Sequence, residues 1–224
     1  MNDLDLRNEL IETVLNMNEM AINQGTSGNA AVRVDDGYLI TPSGMAYEDI
    51  TPDDVVFKRI GGDYESPNGL RKPSSEWRFH EDIFVARDDV EAIVHTHGKA
   101  VMTIACLRKD VPAFHYMIGV TGGETIRCAP YETFATQELS EVAVKALEGR
   151  KACLLANHGQ IAVGGNLKQA LSMALEVETL CDVYWRTLIA GGAVVLDDQE
   201  MGEVMAKFSK GYGSGKAFVS EGES

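Results

Sequence analysis

Apolar residues recur along the chain at two alternating periods, and these lay out its elements. Leu10, Ile11, Val14, Leu15, Ala21 and Ile22 share one face at helical spacing, with Asn and Glu between them, and predict an opening helix. Gln24-Gly25 ends it, because glycine accepts the positive φ of a helix terminus. Ala31-Val32-Arg33-Val34 and Tyr38-Leu39-Ile40 flank Asp35-Asp36-Gly37, the signature of a hairpin with an Asp-Gly turn. Residues 55–60 predict a strand closed by Gly61-Gly62, and residues 63–73, with Pro67, Gly69 and Pro73, a loop. Ser74-Ser75-Glu76 predicts the next helix, with serine as N-cap and the acid in the first turn, running to about residue 87.

Beyond it, strands are predicted over 90–97, 126–129, 152–156 and 161–163, and helices over 99–107, 138–147, 167–189 and 198–210. Residues 211–224 read as a loose tail. Short strands alternate with helices, but hairpins interrupt the βαβ rhythm. The expected fold class is therefore α/β or α+β: a compact layered domain with a mixed or antiparallel sheet flanked by helices.

Composition narrows the function classes. A length of 224 residues fits one domain, and 45% hydrophobic residues suffice for a core. Twenty basic against 34 acidic residues give a formal charge of −14, which argues against a nucleic-acid or anionic-membrane surface. It leaves room for a phosphorylated small substrate at a donor-rich site. No apolar run approaches the roughly 18 residues of a membrane span, and Met1-Asn2-Asp3-Leu4-Asp5 does not resemble a secretory signal. Cys106, Cys128, Cys153 and Cys181 lie in apolar stretches with no C-x-x-C pair, and are expected as buried free thiols in a reducing cytoplasm.

The candidate chemistry lies in the histidines. His95-Thr96-His97 follows the strand-like Ala92-Ile93-Val94, and residues i and i+2 of a strand point to one face. Two side-by-side imidazoles can chelate one metal. His158, at a strand end before Gly159, is a candidate third ligand, and Glu76 a candidate carboxylate. Singly, these signals also suit a sheet histidine pair, a hydrogen-bonded loop histidine and a helix-dipole partner.

Small-residue turns form a second constellation: Gly25-Thr26-Ser27-Gly28-Asn29, Thr41-Pro42-Ser43-Gly44 and Ser74-Ser75. They offer hydroxyls and free backbone N–H groups, which bind phosphate without lysine; they also suit ordinary turns and a helix cap. Neither a Walker nor a Rossmann fingerprint is present.

The order of these motifs resembles the class II aldolase and adducin-head family. Gln24-Gly25-Thr26-Ser27-Gly28-Asn29, Ile40-Thr41-Pro42-Ser43-Gly44, Pro73-Ser74-Ser75-Glu76-Trp77-Arg78-Phe79-His80, Val94-His95-Thr96-His97 and Asn157-His158-Gly159 carry the likeness. His115-Tyr116-Met117-Ile118, Cys128-Ala129-Pro130-Tyr131 and Lys210-Gly211-Tyr212-Gly213 extend it, so that it spans residues 6–213. The resemblance implies one class II aldolase domain over 1–213, a mostly antiparallel central sheet, a flexible tail over 214–224 and a cytoplasmic C4 homotetramer.

It further implies one zinc ion per subunit held by His95, His97 and His158, with Glu76 as fourth ligand and proton shuttle. The phosphate site implied is Thr26, Gly28, Asn29, Ser43, Gly44, Ser74 and Ser75. Tyr116 is implied as the acid reaching a neighbouring subunit's site, and Tyr212 as a residue closing over it. The implied reaction cleaves a ketose 1-phosphate to dihydroxyacetone phosphate and a short aldehyde. L-Fuculose 1-phosphate, giving L-lactaldehyde, is the first expectation. Alternatives are 5-deoxyribulose 1-phosphate, 5-methylthioribulose 1-phosphate or a pentulose-phosphate epimerisation. Asn157 replaces a histidine, Gln160 an aliphatic residue and Ser43 a threonine of the pattern. None removes a metal or phosphate group, and they bear on the aldehyde side. A non-enzymatic adducin-like module is the rival reading, but it predicts missing metal ligands.

Overall fold

The structure, a computed structural model, describes residues 3–210. Its centre is an eight-stranded sheet. The first half of the chain contributes β1 (Asn29–Val34), β2 (Gly37–Ile40), β3 (Val56–Arg59), the short β4 (Tyr64–Glu65) and β5 (Ala92–Thr96). The second half contributes β6 (Cys128–Ala129), β7 (Ala152–Leu155) and β8 (Gly159–Gly164). The spatial order is β4-β3-β2-β1-β5-β8-β7-β6. All neighbours are antiparallel except β6 and β7.

The sheet has two apolar faces because its strands are buried on both sides, as a three-layer arrangement requires. On one face, Ala30, Val32, Ala92, Val94, Leu154 and Ala162 join residues of α1 (Asp3–Glu19), α3 (Lys99–Ala105) and α5 (Leu167–Ile189). On the other, Ala31, Ile93, Cys153 and Ile161 meet Phe79, Ile83 and Phe84 of α2 (Trp77–Ala86) and Leu139 and Ala143 of α4 (Gln137–Ala146). The strand period of two thus puts His95 on the α2 face with Ile93. A last helix, α6 (Asp198–Ser209), opens with a capping box between Asp197 and Glu200. The structure bears out the mostly antiparallel sheet flanked by helices.

Several local readings are corrected. The loop expected over 63–73 contains β4, which pairs with β3. The helix after Ser74-Ser75 begins at Trp77, and neither serine is its N-cap. Glu76 occupies the cap position without capping; its own N–H donates to Ser74 Oγ at 3.3 Å, and its carboxylate turns into the histidine cluster. Of the four cysteines, only Cys153 and Cys181 are buried. Cys106 is exposed because it ends α3, and Cys128 is half-buried on the edge strand.

Glu178 of α5 accepts the N–H groups of Ala100 and Val101 at 2.8 and 3.0 Å, and so anchors the first turn of α3, which begins two residues after His97. Tyr212 and the expected tail lie outside the described residues.

Candidate metal centre and substrate cleft

β5 runs between β1 and β8, and this register assembles the centre. Asn29 pairs with His95 across β1–β5, and Thr96 with Gln160 across β5–β8. The β7–β8 turn then delivers His158 beside the end of β5, with Asn157 in the left-handed region at φ 56°. Gly159 permits the approach: a Cβ there would lie 2.4 Å from the Thr96 carbonyl oxygen and 2.6 Å from His97 Cδ2.

The Nε2 atoms of His95 and His97 are 2.9 Å apart, and His95, His97 and His158 each offer a nitrogen within 4.8 Å of the others. Glu76 is buried between them, with Oε2 3.1 Å from His95 Nε2 and Oε1 3.4 Å from His158 Nε2. The strand-period expectation and the link to residues 76 and 158 therefore meet in one place.

The donor set fits a divalent cation. His95 Nδ1 lies 2.8 Å from the Gln160 carbonyl oxygen, which can only accept, so Nδ1 carries the proton and Nε2 presents a lone pair. That lone pair faces a carboxylate oxygen and a second imidazole nitrogen, an arrangement that a shared cation relieves. Glu76 Oε1 is buried and has no hydrogen-bond partner, a second vacancy of the same kind. Burial, reinforced by neighbouring imidazoles, pushes His97 down to about 3 and His158 to about 4. Both are neutral at physiological pH, the form in which an imidazole can bind a metal. Burial alone would raise the Glu76 carboxyl; positive charge among the imidazoles, His95 foremost, acts the other way and holds it well below the usual carboxylate range. The three histidines could hold a metal ion.

A cleft of about 490 Å³ opens onto the cluster, where Glu76, His97 and His158 line it. Thr26, Ser43, Gly44 and Ser75 of the small-residue turns line it too. Among the described residues no Lys or Arg lines it, and these turns offer a phosphate hydroxyls and backbone N–H groups as donors. The turns are tied to each other: Ser43 N–H donates to the Lys72 carbonyl at 3.0 Å and Ser74 N–H to that of Thr41 at 2.9 Å. Gly28, Asn29 and Ser74 are buried behind this surface, and the Asn29 amide donates to Glu76 Oε2 at 3.1 Å.

Tyr116 is placed elsewhere. It is exposed at the start of the 3₁₀ turn Tyr116–Thr121, in a hollow with Val204, Lys207 and Phe208. A hollow of about 570 Å³, larger than the cleft, lies against Val163, Gln169 and Met173 and contains no sequence-predicted site residue. Two groups beside the site were not among its sequence-predicted residues. Tyr131 and Phe134 are exposed aromatics lining the cleft; the Cys128-Ala129-Pro130-Tyr131 motif signalled Tyr131, and nothing signalled Phe134. Asn23 is buried and accepts the His97 N–H at 3.1 Å, a bond no local pattern announces.

Comparison with known proteins agrees with this geometry. The Class II Aldolase and Adducin N-terminal domain profile matches residues 8–185. A 5-methylthioribulose-1-phosphate/5-deoxyribulose-1-phosphate aldolase of Rhodospirillum rubrum is 50% identical over 208 residues, covering 93% of this chain and 92% of that protein. The L-fuculose phosphate aldolase of Escherichia coli K12 is 46% identical over 209 residues, covering 93% and 95%. A solved L-fuculose 1-phosphate aldolase superposes with a TM-score of 0.87 at 40% identity, covering 92% of this chain and 96% of that one.

Proposed function

The chain belongs to the class II aldolase and adducin N-terminal domain family and is an aldehyde-lyase, and from that premise we propose that it cleaves a ketose 1-phosphate to dihydroxyacetone phosphate and a short aldehyde. The observation that carries this reading is Glu76, held between His95 and His158 at the floor of a hydroxyl-lined cleft. His95, His97 and His158, with Glu76 in the resting site, would hold the metal, and neutral imidazoles with one carboxylate suit zinc. Such an ion, when bound, supplies a Lewis acid for the negative charge left on the ketose fragment.

The protein's own groups do the rest. Thr26, Ser43, Gly44 and Ser75, with the backbone around Gly28, Asn29 and Ser74, bind and orient the phosphate, so that binding energy fixes the reacting carbons. The C3–C4 bond breaks, its electron pair stays on C3, and the C4 hydroxyl becomes the aldehyde. Glu76, ionised at rest, takes up a proton from solvent and delivers it to C3. Tyr116 takes the proton that the C4 hydroxyl releases and passes it to solvent, so that one proton lost at the C4 oxygen balances one gained at C3. Its place outside its own chain's cleft is met by a homotetramer in which it enters a neighbour's. The domain over 1–213 and the tail over 214–224 complete this reading. A cytoplasmic setting suits the exposed free thiol of Cys106, and among the described residues no helix is long and apolar enough to cross a membrane.

L-Fuculose 1-phosphate is the first substrate proposed. The 50% identity to the Rhodospirillum rubrum enzyme favours a second reading, 5-deoxyribulose 1-phosphate or 5-methylthioribulose 1-phosphate. The test is release of dihydroxyacetone phosphate from these three and L-rhamnulose 1-phosphate, with and without a chelator. Chelator-sensitive release is expected, and the ranking of kcat/KM assigns the aldehyde. No release by metal-loaded protein would overturn the aldolase reading in favour of an epimerase.

A further inference from the structure

His80 is buried completely beneath the cleft, one turn into α2 from Glu76. Its Nε2 lies 2.5 Å from Asn29 Oδ1, and the Asn29 Nδ2 lies 3.1 Å from Glu76 Oε2. Its Nδ1 is buried with no hydrogen-bond partner.

The hydrogens of this chain follow from the carboxylate. An ionised Glu76 can only accept, so the Asn29 group facing it must be the NH₂. The Asn29 oxygen then faces His80 and also can only accept, so His80 Nε2 must carry the proton. Nδ1 is left with a buried lone pair. The opposite tautomer, or a flipped Asn29, would set two acceptors against each other at the Glu76 end or at the His80 end. The site thus keeps one unsatisfied nitrogen at His80 in exchange for a defined donor at Glu76, a local sacrifice of the kind that marks functional sites.

We propose that His80 is a positioning residue for the aldol cleavage: its Nε2–H fixes the Asn29 carboxamide, which in turn holds Glu76 Oε2 by an N–H donor and leaves Oε1 free. Its role is to keep the proton-carrying carboxylate in one rotamer. The proposal rests on the aldolase reading of Glu76, and its effect is on kcat rather than on phosphate binding.

Two measurements test it. The first is the ¹⁵N NMR signature of the His80 imidazole in the full chain. The Nε2–H tautomer with an unprotonated Nδ1 is expected; an Nδ1–H tautomer overturns the proposal. This readout needs no turnover, so it fails or stands independently of the substrate assignment. The second is kinetics of His80→Gln, which keeps an N–H near the same place, and His80→Phe, which does not. His80→Phe is expected to lower kcat about tenfold or more with KM and metal content unchanged, and His80→Gln to restore most of the loss. In an Asn29→Ala background His80→Phe should add nothing further. Wild-type kcat in folded His80→Phe, or a loss that adds in full to that of Asn29→Ala, overturns it. Should His80→Phe not fold, the tautomer and the His80→Gln rate decide, a Gln rate as low as that of Asn29→Ala counting against the proposal.

Discussion

Arg108 Nε donates to Asn157 Oδ1 at 2.6 Å, and both residues are non-glycine residues in the left-handed region, at φ 53° and 56°. The Arg108 guanidinium also lies over the Tyr131 ring, 5.4 Å from its centroid. Because Asn157 and Tyr131 both line the cleft, Arg108 ties together two of its walls.

This clamp is expected to tune the aldehyde rather than the chemistry. Arg108→Ala should change kcat/KM for ketose 1-phosphates with different tails unequally, by roughly fivefold, the scale of an exposed cation–π contact and its hydrogen bond, about 1 kcal/mol. Dihydroxyacetone phosphate binding should not move. Equal changes across a substrate panel would place Arg108 outside specificity.

Glu76→Gln removes the proton carrier while keeping shape and the Asn29 contact side. The expected outcome is a loss of turnover of about 10²–10⁴-fold in a folded protein that still retains metal. Cleavage kinetics alongside metal analysis would check it; near-normal turnover removes Glu76 from the proton step.

His158→Ala deletes one of three clustered imidazoles. Ligands that bind only the folded state raise its melting temperature, so zinc should stabilise the wild-type chain and stabilise the variant far less. Thermal unfolding with and without zinc reads this directly. An unchanged zinc shift would remove His158 from the ligand set.

Gly159→Ala tests the packing that brings the β7–β8 turn to β5. The added methyl meets the Thr96 carbonyl oxygen at 2.4 Å and His97 Cδ2 at 2.6 Å, so something must move. A destabilisation of about 1–3 kcal/mol is expected, with weaker metal binding because His97 is displaced. Denaturant unfolding and metal titration would reveal whether both losses occur together.

Acid stability has a separate source in Asp54. Burial opposes its ionisation, but hydrogen bonds from Thr51, Arg71 and Asn68 outweigh it and hold the carboxyl at about 2. A depressed folded-state value contributes stability above the unfolded value of about 4, and that contribution is lost as pH falls from about 4 through 2. Asp54→Asn should therefore melt lower than wild type at pH 7, and the gap should close on acidification. A gap independent of pH would contradict the assignment.

The periodicities located nearly all elements because helix and strand each bury a face of their own period. The predicted 167–189 helix is α5 to the residue, and the Asp-Gly hairpin is β1–β2. The two-residue β4 was invisible, since pairing with β3 rather than its own pattern makes it a strand. Likewise, the two-residue period set the imidazoles of His95 and His97 side by side, and the hydroxyl-rich turns placed Thr26, Ser43 and Ser75 on the cleft.

What tertiary structure decided is which distant groups meet. Glu76 reads locally as a helix-dipole acid, but packing of α2 on the β5 face turns its carboxylate onto His95 and His158. Asn29 reads as one more phosphate donor, but the β1–β5 register sets its side chain between Glu76 and His80. Tyr116 stands in a local motif whose residues do not themselves place it, and only the fold sets it in a hollow with Val204, Lys207 and Phe208, outside its own chain's cleft. A residue's period is fixed by its neighbours in sequence, whereas its partners depend on strand order and layer packing. Those are properties of the whole chain, and so the sequence by itself determined the chemistry on offer while the fold decided its geometry.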